Sequence, residues 1–579
     1  MPAHPKKPTS GRKRRKPEIL LREFNTLRLR FDASHARKKL SLLRQLSESE
    51  YADARILKAY HDLLCFLFAY PDNAPIRKAA ESELQSFAVR VDEYKKLARD
   101  RRGKKLVNSG IVDTTVEHLF SLEATRCLLN WHPGQLEIDW SQADDSTIES
   151  IDGILPLVSA WQETDIFDND DYFDTNDWLA MARGNRTSSD LETLVKLFTS
   201  SGLTREVQQY LFENLNLTMS WDLTDSAASC TLKRLPRGRI YYQKGTRSRA
   251  KDLRREILKP PVPLRRLSVR DGKKYVQAIN EVLAVRYREL FPITFANPAE
   301  VYVYEPGRGI QIAIFGTVPE IRLPLESNFG AMLIRNGLPI GYGISATLFD
   351  RVEIAINVFP AFRSGESSYI IEQFFKLFYH HFGSRVFLVR SRQMGDGDME
   401  PIHAGSFWFY YKLGFRAIKP RIRKLAELEY ATIKSKNGYR SPINMLKRLS
   451  KTDVFLHMDT GRMDDWSELS IVNLGYLITK YAAEKFNGNR ALMTRKSVEH
   501  VTSVLKARDW KKWSPSEITA LEKLAPLIAN IPDLAKWSKT ERAALIKVIR
   551  AKGAKQERRF ALLSGRHKRF KKALEDLAG

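Results

Sequence analysis

The residues of this 579-residue chain best suited to chemistry concentrate between Asn328 and Phe415. There, Arg363-Ser364-Gly365-Glu366-Ser367-Ser368 forms a small-residue turn that leads into an apolar run, YIIEQFFKLFYHHFG. A turn of this kind entering a helix exposes free backbone N–H groups at the positive end of the helix dipole. That is an anion site, suited to a pyrophosphate, and Arg363 adds a charge-assisted contact. A second polar stretch, RSRQMGDGDMEPIHAGS, holds Arg390, Arg392, Gln393, Asp396, Asp398, Glu400 and His403. Its acid and imidazole spacing matches no metal motif, so no metal is expected.

These groups need elements to hold them. Asn336-Gly337 separates two apolar runs, MLI and PIGYGI, and both turn residues tolerate the positive φ of a type I′ hairpin. A third run, VEIAINVF, follows a short turn at Asp350-Arg351 and breaks at Pro360. The pattern predicts a three-stranded antiparallel meander. VYVYE and GIQIAIFGT add strands upstream, joined at Pro306-Gly307-Arg308. In the following helix Ile370, Phe374, Phe378 and Phe382 make one stripe, with Ile371 and Phe375 beside it, and that face must pack on the sheet. Gly383 is placed to end the helix. A short run, VFLVRS, and the aromatic segment SFWFYYKLGF complete the order strand, strand, strand, turn, helix, strand, helix.

The rest of the chain is read more coarsely. Residues 1–17 carry seven Lys or Arg and no acid, so they form a disordered basic tail. Residues 18–230 read as a helical region. Ser47 with Glu50 suggests a capping box ahead of YADARILKAYHDLLCFLFAY, and another helix is expected over Thr114 to Leu129. An acidic stretch near Asp168 lacks the Gly and the ligand spacing of a calcium loop. Residues 189–214 read as a helix pair broken at Ser200-Ser201-Gly202. Residues 231–270 are dense in Arg and Lys around Tyr241 and Tyr242, and read either as a basic linker or as a strand-binding surface for nucleic acid. Residues 425–579 read as helical again.

Composition sets the bounds. With 95 Lys+Arg against 68 Asp+Glu, the chain carries +27, which favours anionic partners such as nucleic acid or an anionic surface. Three scattered cysteines exclude a disulfide framework and fit a reducing, cytoplasmic, bacterial-type setting. No apolar run reaches the ~20 residues that a membrane span needs.

The order of elements around Phe409-Tyr410-Tyr411-Lys412-Leu413-Gly414-Phe415 resembles the GNAT superfamily of N-acyltransferases. The resemblance covers residues 271–424. It implies an α+β protein with a central GNAT-like mixed sheet, flanked by mainly helical N- and C-terminal regions. In that family a loop of pattern Arg/Gln-x-x-Gly-x-Gly/Ala cradles the CoA pyrophosphate. Here Gly365 comes one residue early and Ser368 replaces the last Gly/Ala; alternatively the loop is one residue short and Phe362 takes the Arg/Gln place. Glu366 would repel a pyrophosphate unless it turned away or paired with Arg363.

The resemblance implies acetyl-CoA or a longer acyl-CoA as donor and direct attack by an amine of unknown identity. Val358, Phe359, Arg363, Ser364, Gly365, Ser367 and Ser368 would hold the donor. Tyr410 would protonate the thiolate and Glu353 would act as general base; the plain alternatives are a core aromatic and an exposed strand residue. Asn357, Arg392, Gln393 and His403 would meet the acceptor. Two other readings stay open: an inactive GNAT-like scaffold in a nucleic-acid-binding protein, and a transferase that uses aminoacyl-tRNA on the same fold.

Overall fold

The computed structural model describes residues 15–159, 175–236, 238–247, 250–363, 366–459, 466 and 469–579. Most of the basic tail, the stretch around Asp168, and Ser364 and Gly365 lie outside the described residues.

The chain opens with five helices, Pro17–Leu27, Ala33–Ser47, Ala54–Ala69, Ala74–Gln85 and Phe87–Leu97. The expected capping box at Ser47 does not form. Ser47 is the last residue of its own helix, and Asp53 caps the next one by accepting from the Arg55 N–H. Asp53 stands directly before the periodic run, which makes it the better-placed cap. In helix Ala54–Ala69, Leu57, Tyr60, Leu64 and Phe68 are fully buried.

A small antiparallel sheet follows, made of β1 (Thr115–His118), β2 (Leu136–Ile138) and β3 (Met219–Asp222) in the order β1-β3-β2. The helix expected over Thr114 to Leu129 is therefore corrected. Thr114-Thr115-Val116, a β-branched run, leads into strand, and Ser121 caps a shorter helix, Leu122–Trp131. Trp221 of β3 is fully buried in the core of this unit.

The large sheet contains β4 (Leu264–Arg266), β5 (Ala296–Gly307), β6 (Ile310–Thr317), β7 (Ser327–Arg335), β8 (Leu338–Leu348), β9 (Arg351–Val358), β10 (Val386–Val389), β11 (Arg416–Ala417) and β12 (Val454–His457). Its order is β11-β12-β10-β9-β8-β7-β6-β5-β4. The β7–β8 turn uses Asn336 at φ 48° and Gly337 at φ 85°, as the hairpin signal requires. The β9–β10 pair is parallel, and helix Ser367–His381 makes the crossover between them. Every other neighbouring pair is antiparallel. Beyond Lys424 the sheet continues through β12, which lies between β10 and β11.

Helix Ser367–His381 buries Ile370, Phe374, Phe375 and Phe378 in a core shared by the large sheet and the first five helices. The last helices, from Ile471–Phe486 to Lys568–Ala578, have their own core, which also takes in Leu325, Leu348 and Phe349. They are tied to the sheet edge by four charged side chains, each no more than 3% exposed: Glu300, Arg322, Lys552 and Glu557. Glu300 accepts from the N–H groups of Glu557 (2.7 Å) and Arg558 (2.8 Å), which open helix Glu557–Arg566. Among the described residues no helix is long and apolar enough to cross a membrane.

Candidate functional site

The site is built where β9 and β10 part. Their parallel pairing covers Arg351–Glu353 against Val386–Leu388 and stops there. From Ile354 to Val358, β9 stays bonded to β8 on its other side, so its β10-facing backbone is left without a strand partner among the described residues. At the end of β9 the Phe359 N–H donates to the Ile340 carbonyl at 2.9 Å. Pro360–Phe362 then makes one tight turn, and Arg28 of the first helical region donates to the Ala361 carbonyl.

Glu366, the residue before helix Ser367–His381, does not cap that helix with its side chain. Its carboxylate is 2% exposed and receives four donors. Arg335 Nη1 reaches it at 2.8 Å, Arg308 binds it through Nε (3.2 Å) and Nη2, and the Arg247 N–H donates at 3.0 Å. Burial acts to raise this carboxyl, but the bonds and charges of Arg308 and Arg335 outweigh it and hold it below its usual range. Arg335 is fully buried, lies over the Tyr70 ring at 4.6 Å, and has two further N–H groups, Nε and Nη2, without acceptors among the described residues. Glu366 thus pairs with Arg335 and Arg308 rather than with Arg363.

Arg363 is engaged elsewhere. Nε donates to the Val358 carbonyl at 2.9 Å, Nη1 pairs with Glu400 at 2.5 Å, and Nη2 reaches Asn357 Oδ1 at 3.4 Å. Ser367 Oγ donates to the Arg363 carbonyl, and Ser368 follows it in the first turn. Asn357 Nδ2 donates to the Tyr342 hydroxyl, which also accepts from Arg288. Asn357, Arg363 and Glu400 therefore form one linked group along the second half of β9.

Glu353, at the last paired position of β9, accepts from Arg390 Nε at 2.7 Å. Arg390 Nη1 also donates to Asp453 at 2.9 Å, just before β12. The three make a half-exposed ion cluster at the point where the strands part. Tyr410 lies in helix Ser406–Lys412, buried, with its ring 5.5 Å from that of Phe415. Phe415 in turn lies 5.5 Å from Phe375 of the crossover helix. Burial alone pushes the Tyr410 phenol up to about 12, and among the described residues no hydrogen bond reaches its hydroxyl. Gln393 is half-buried in a short turn, while Arg392 and His403 are exposed and pair with no other predicted site residue among the described residues.

Reading the sequence misses Arg308, Arg335, Tyr70 and Asp453. An arginine just before an Asn-Gly turn reads as exposed, and nothing local marks Arg335 as buried. It also misses what residues 235–254 do. The Leu235 N–H donates to the Gly337 carbonyl, Tyr241 exchanges hydrogen bonds with the Asn336 side chain, and the Ala250 N–H donates to Glu372. This basic stretch thus lies across the β7–β8 turn and the start of the crossover helix. Comparison with protein-family models, curated proteins and solved structures returned no match to the chain.

Proposed function

We propose that the chain is an N-acyltransferase of GNAT type, moving an acyl group from an acyl-CoA to an amine. One observation carries this reading: β9 and β10 pair for three residues and then part, with an aromatic helix following β10. A parted parallel pair leaves backbone N–H groups free to polarise a thioester carbonyl and exposes a channel for an extended pantetheine. In this reading the amine attacks the carbonyl carbon, the thioester C–S bond breaks, and Tyr410 gives its proton to the thiolate. The raised pKa keeps the phenol protonated, as a donor must be, and makes it a weaker acid than a free phenol. Glu353, oriented by Arg390, takes the proton from the amine.

Glu366 favours a second reading. A buried carboxylate already holds the cations nearest the start of the crossover helix, where a pyrophosphate would bind in the family's usual manner. A domain so arranged could keep the fold without the donor and serve as a scaffold. Calorimetry with acetyl-CoA, longer acyl-CoAs and free CoA separates the two. Binding supports the transferase; no heat and no thermal shift with any of them leaves the scaffold.

A further inference from the structure

A cavity of about 270 Å³ lies between helix Ala54–Ala69, the 108–111 turn, the end of helix Val269–Ala284 and the Phe359–Phe362 turn. Its walls are mostly apolar, including Val282, Leu338 and Phe359, yet three cations converge on it: Lys58, Lys233 and Arg286. Lys233 is neutralised by Glu281 at 2.5 Å. The other two have no carboxylate partner among the described residues. Lys58 Nζ donates to the Lys105 carbonyl at 2.9 Å, which uses one of its three N–H groups. Arg286 Nη1 donates to the Val282 carbonyl at 2.7 Å, and its guanidinium lies 3.9 Å from the Phe359 ring centre.

A stacked guanidinium keeps its N–H groups for a planar or tetrahedral oxyanion. The one carboxylate in the lining, Asp62, is exposed. The wall also holds His61, 4% exposed, with Nε2 at 2.9 Å from Thr231 Oγ1 and Cys65 Sγ 3.8 Å away. Apolar walls with a few converging polar groups are what a small-ligand site offers. The volume suits one phosphorylated group with a short apolar body. We propose that this cavity binds a phosphoanion, a phosphate or pyrophosphate group of a small organic molecule, held between Lys58 and Arg286.

Two sources carry that chemistry: the phosphates of an acyl-CoA donor, brought beside the end of β9 by Phe359, or a free phosphorylated small molecule. The test is calorimetry on the full chain with inorganic pyrophosphate, acetyl-CoA and pantetheine, in the wild type, Arg286→Gln and Lys58→Glu. Lys58 is half-exposed, so its variant stands in if Arg286→Gln loosens the Phe359 turn. Pyrophosphate is expected to bind the wild type and to lose about tenfold or more in affinity in each variant, the scale of a lost charge-assisted contact. If the donor is the source, acetyl-CoA falls in parallel while pantetheine does not respond. If a free phosphorylated molecule is the source, pyrophosphate alone responds. No pyrophosphate binding, or equal affinity in all three proteins, overturns the proposal. Acetyl-CoA binding that ignores both substitutions excludes the donor as the source and leaves acyl transfer standing; the proposal then stands or falls on the loss of pyrophosphate affinity.

Discussion

Glu366→Ala is the substitution on which the account of the crossover helix turns. It removes the one carboxylate shared by Arg335, which is fully buried, and Arg308, which is about a quarter exposed. Arg308 can turn to water, but Arg335 cannot, so its charge is left without a partner in the interior. Breaking a buried pair by deleting one member costs about 3–5 kcal/mol. Urea unfolding followed by tryptophan fluorescence should show a loss of that size. Glu366→Gln, which keeps one acceptor oxygen, should lose less. The alanine variant also vacates an anion-sized space beside two arginines and the start of a 15-residue helix. Added pyrophosphate should then restore stability, by about 2.7 kcal/mol when present at 100 times its dissociation constant. The comparison is best made in an Arg286→Gln background, so that the cavity does not contribute. An alanine variant within about 1 kcal/mol of its parent would refute the buried pair. Equal pyrophosphate stabilisation with and without Glu366 would refute the idea that this carboxylate stands where an anion could.

Four further outcomes follow from the same contacts. Tyr410→Phe should lower turnover with little change in acyl-CoA affinity; since its hydroxyl has no partner among the described residues, stability should move by less than ~0.5 kcal/mol. Unchanged turnover removes it from the mechanism. Arg390→Ala should cost only ~0–1 kcal/mol, because the pair with Glu353 is 39% and 34% exposed. Urea unfolding reads this, and a loss of about 3 kcal/mol or more would place the pair among buried ones instead. Arg322→Ala should release the C-terminal helices from the sheet edge at a cost of about 3–5 kcal/mol, since Glu300 and Glu557 lose a buried cation; limited proteolysis reads this directly. Burial raises the Glu300 carboxyl from 4.5 to about 7, against the pull of Arg322 and two N–H donors. The native state therefore binds the proton more tightly than the unfolded chain. The resulting stabilisation is full below about pH 4.5 and is lost as pH rises through 7, by about 3 kcal/mol. Glu300→Gln should flatten that slope, and an unchanged slope in urea titrations at pH 5 and 7.5 assigns it elsewhere.

The parts of the fold visible in the sequence are those set by short-range rules. The Asn336-Gly337 turn needs only two residues with positive φ, and the Ile370-Phe374-Phe378 stripe needs only helical spacing. β12 is different. Val454–His457 is four residues set between helical segments, and it becomes a strand by pairing with β10, more than 60 positions earlier in the chain. The small sheet around Trp221 has the same origin, since β3 pairs with strands about 80 and 100 residues before it. Long-range pairing of short segments leaves little periodic signal, because each strand is shorter than the window in which a period can be counted.

The same limit explains the turn before the crossover helix, and it reaches further there because it concerns charge. Locally, Arg363 with small residues and a helix start reads as a cationic grip for an anion. In the folded chain Arg363 is turned away to Asn357 and Glu400. The cations at Glu366 come instead from positions 31 and 58 residues earlier, with a basic strap supplying one backbone N–H. A motif rule assigns charge to a site by sequence neighbours, whereas the electrostatics there are set by spatial neighbours in a low-dielectric interior, where one unpaired charge outweighs several exposed ones. Glu366 is the residue at odds with the local motif, and it is also the residue that makes a fully buried Arg335 tolerable. Any anion that recruits Arg308 and Arg335 must therefore displace a carboxylate that is already paired. The Phe359 cavity, where Lys58 and Arg286 pair with no carboxylate among the described residues, carries no such cost.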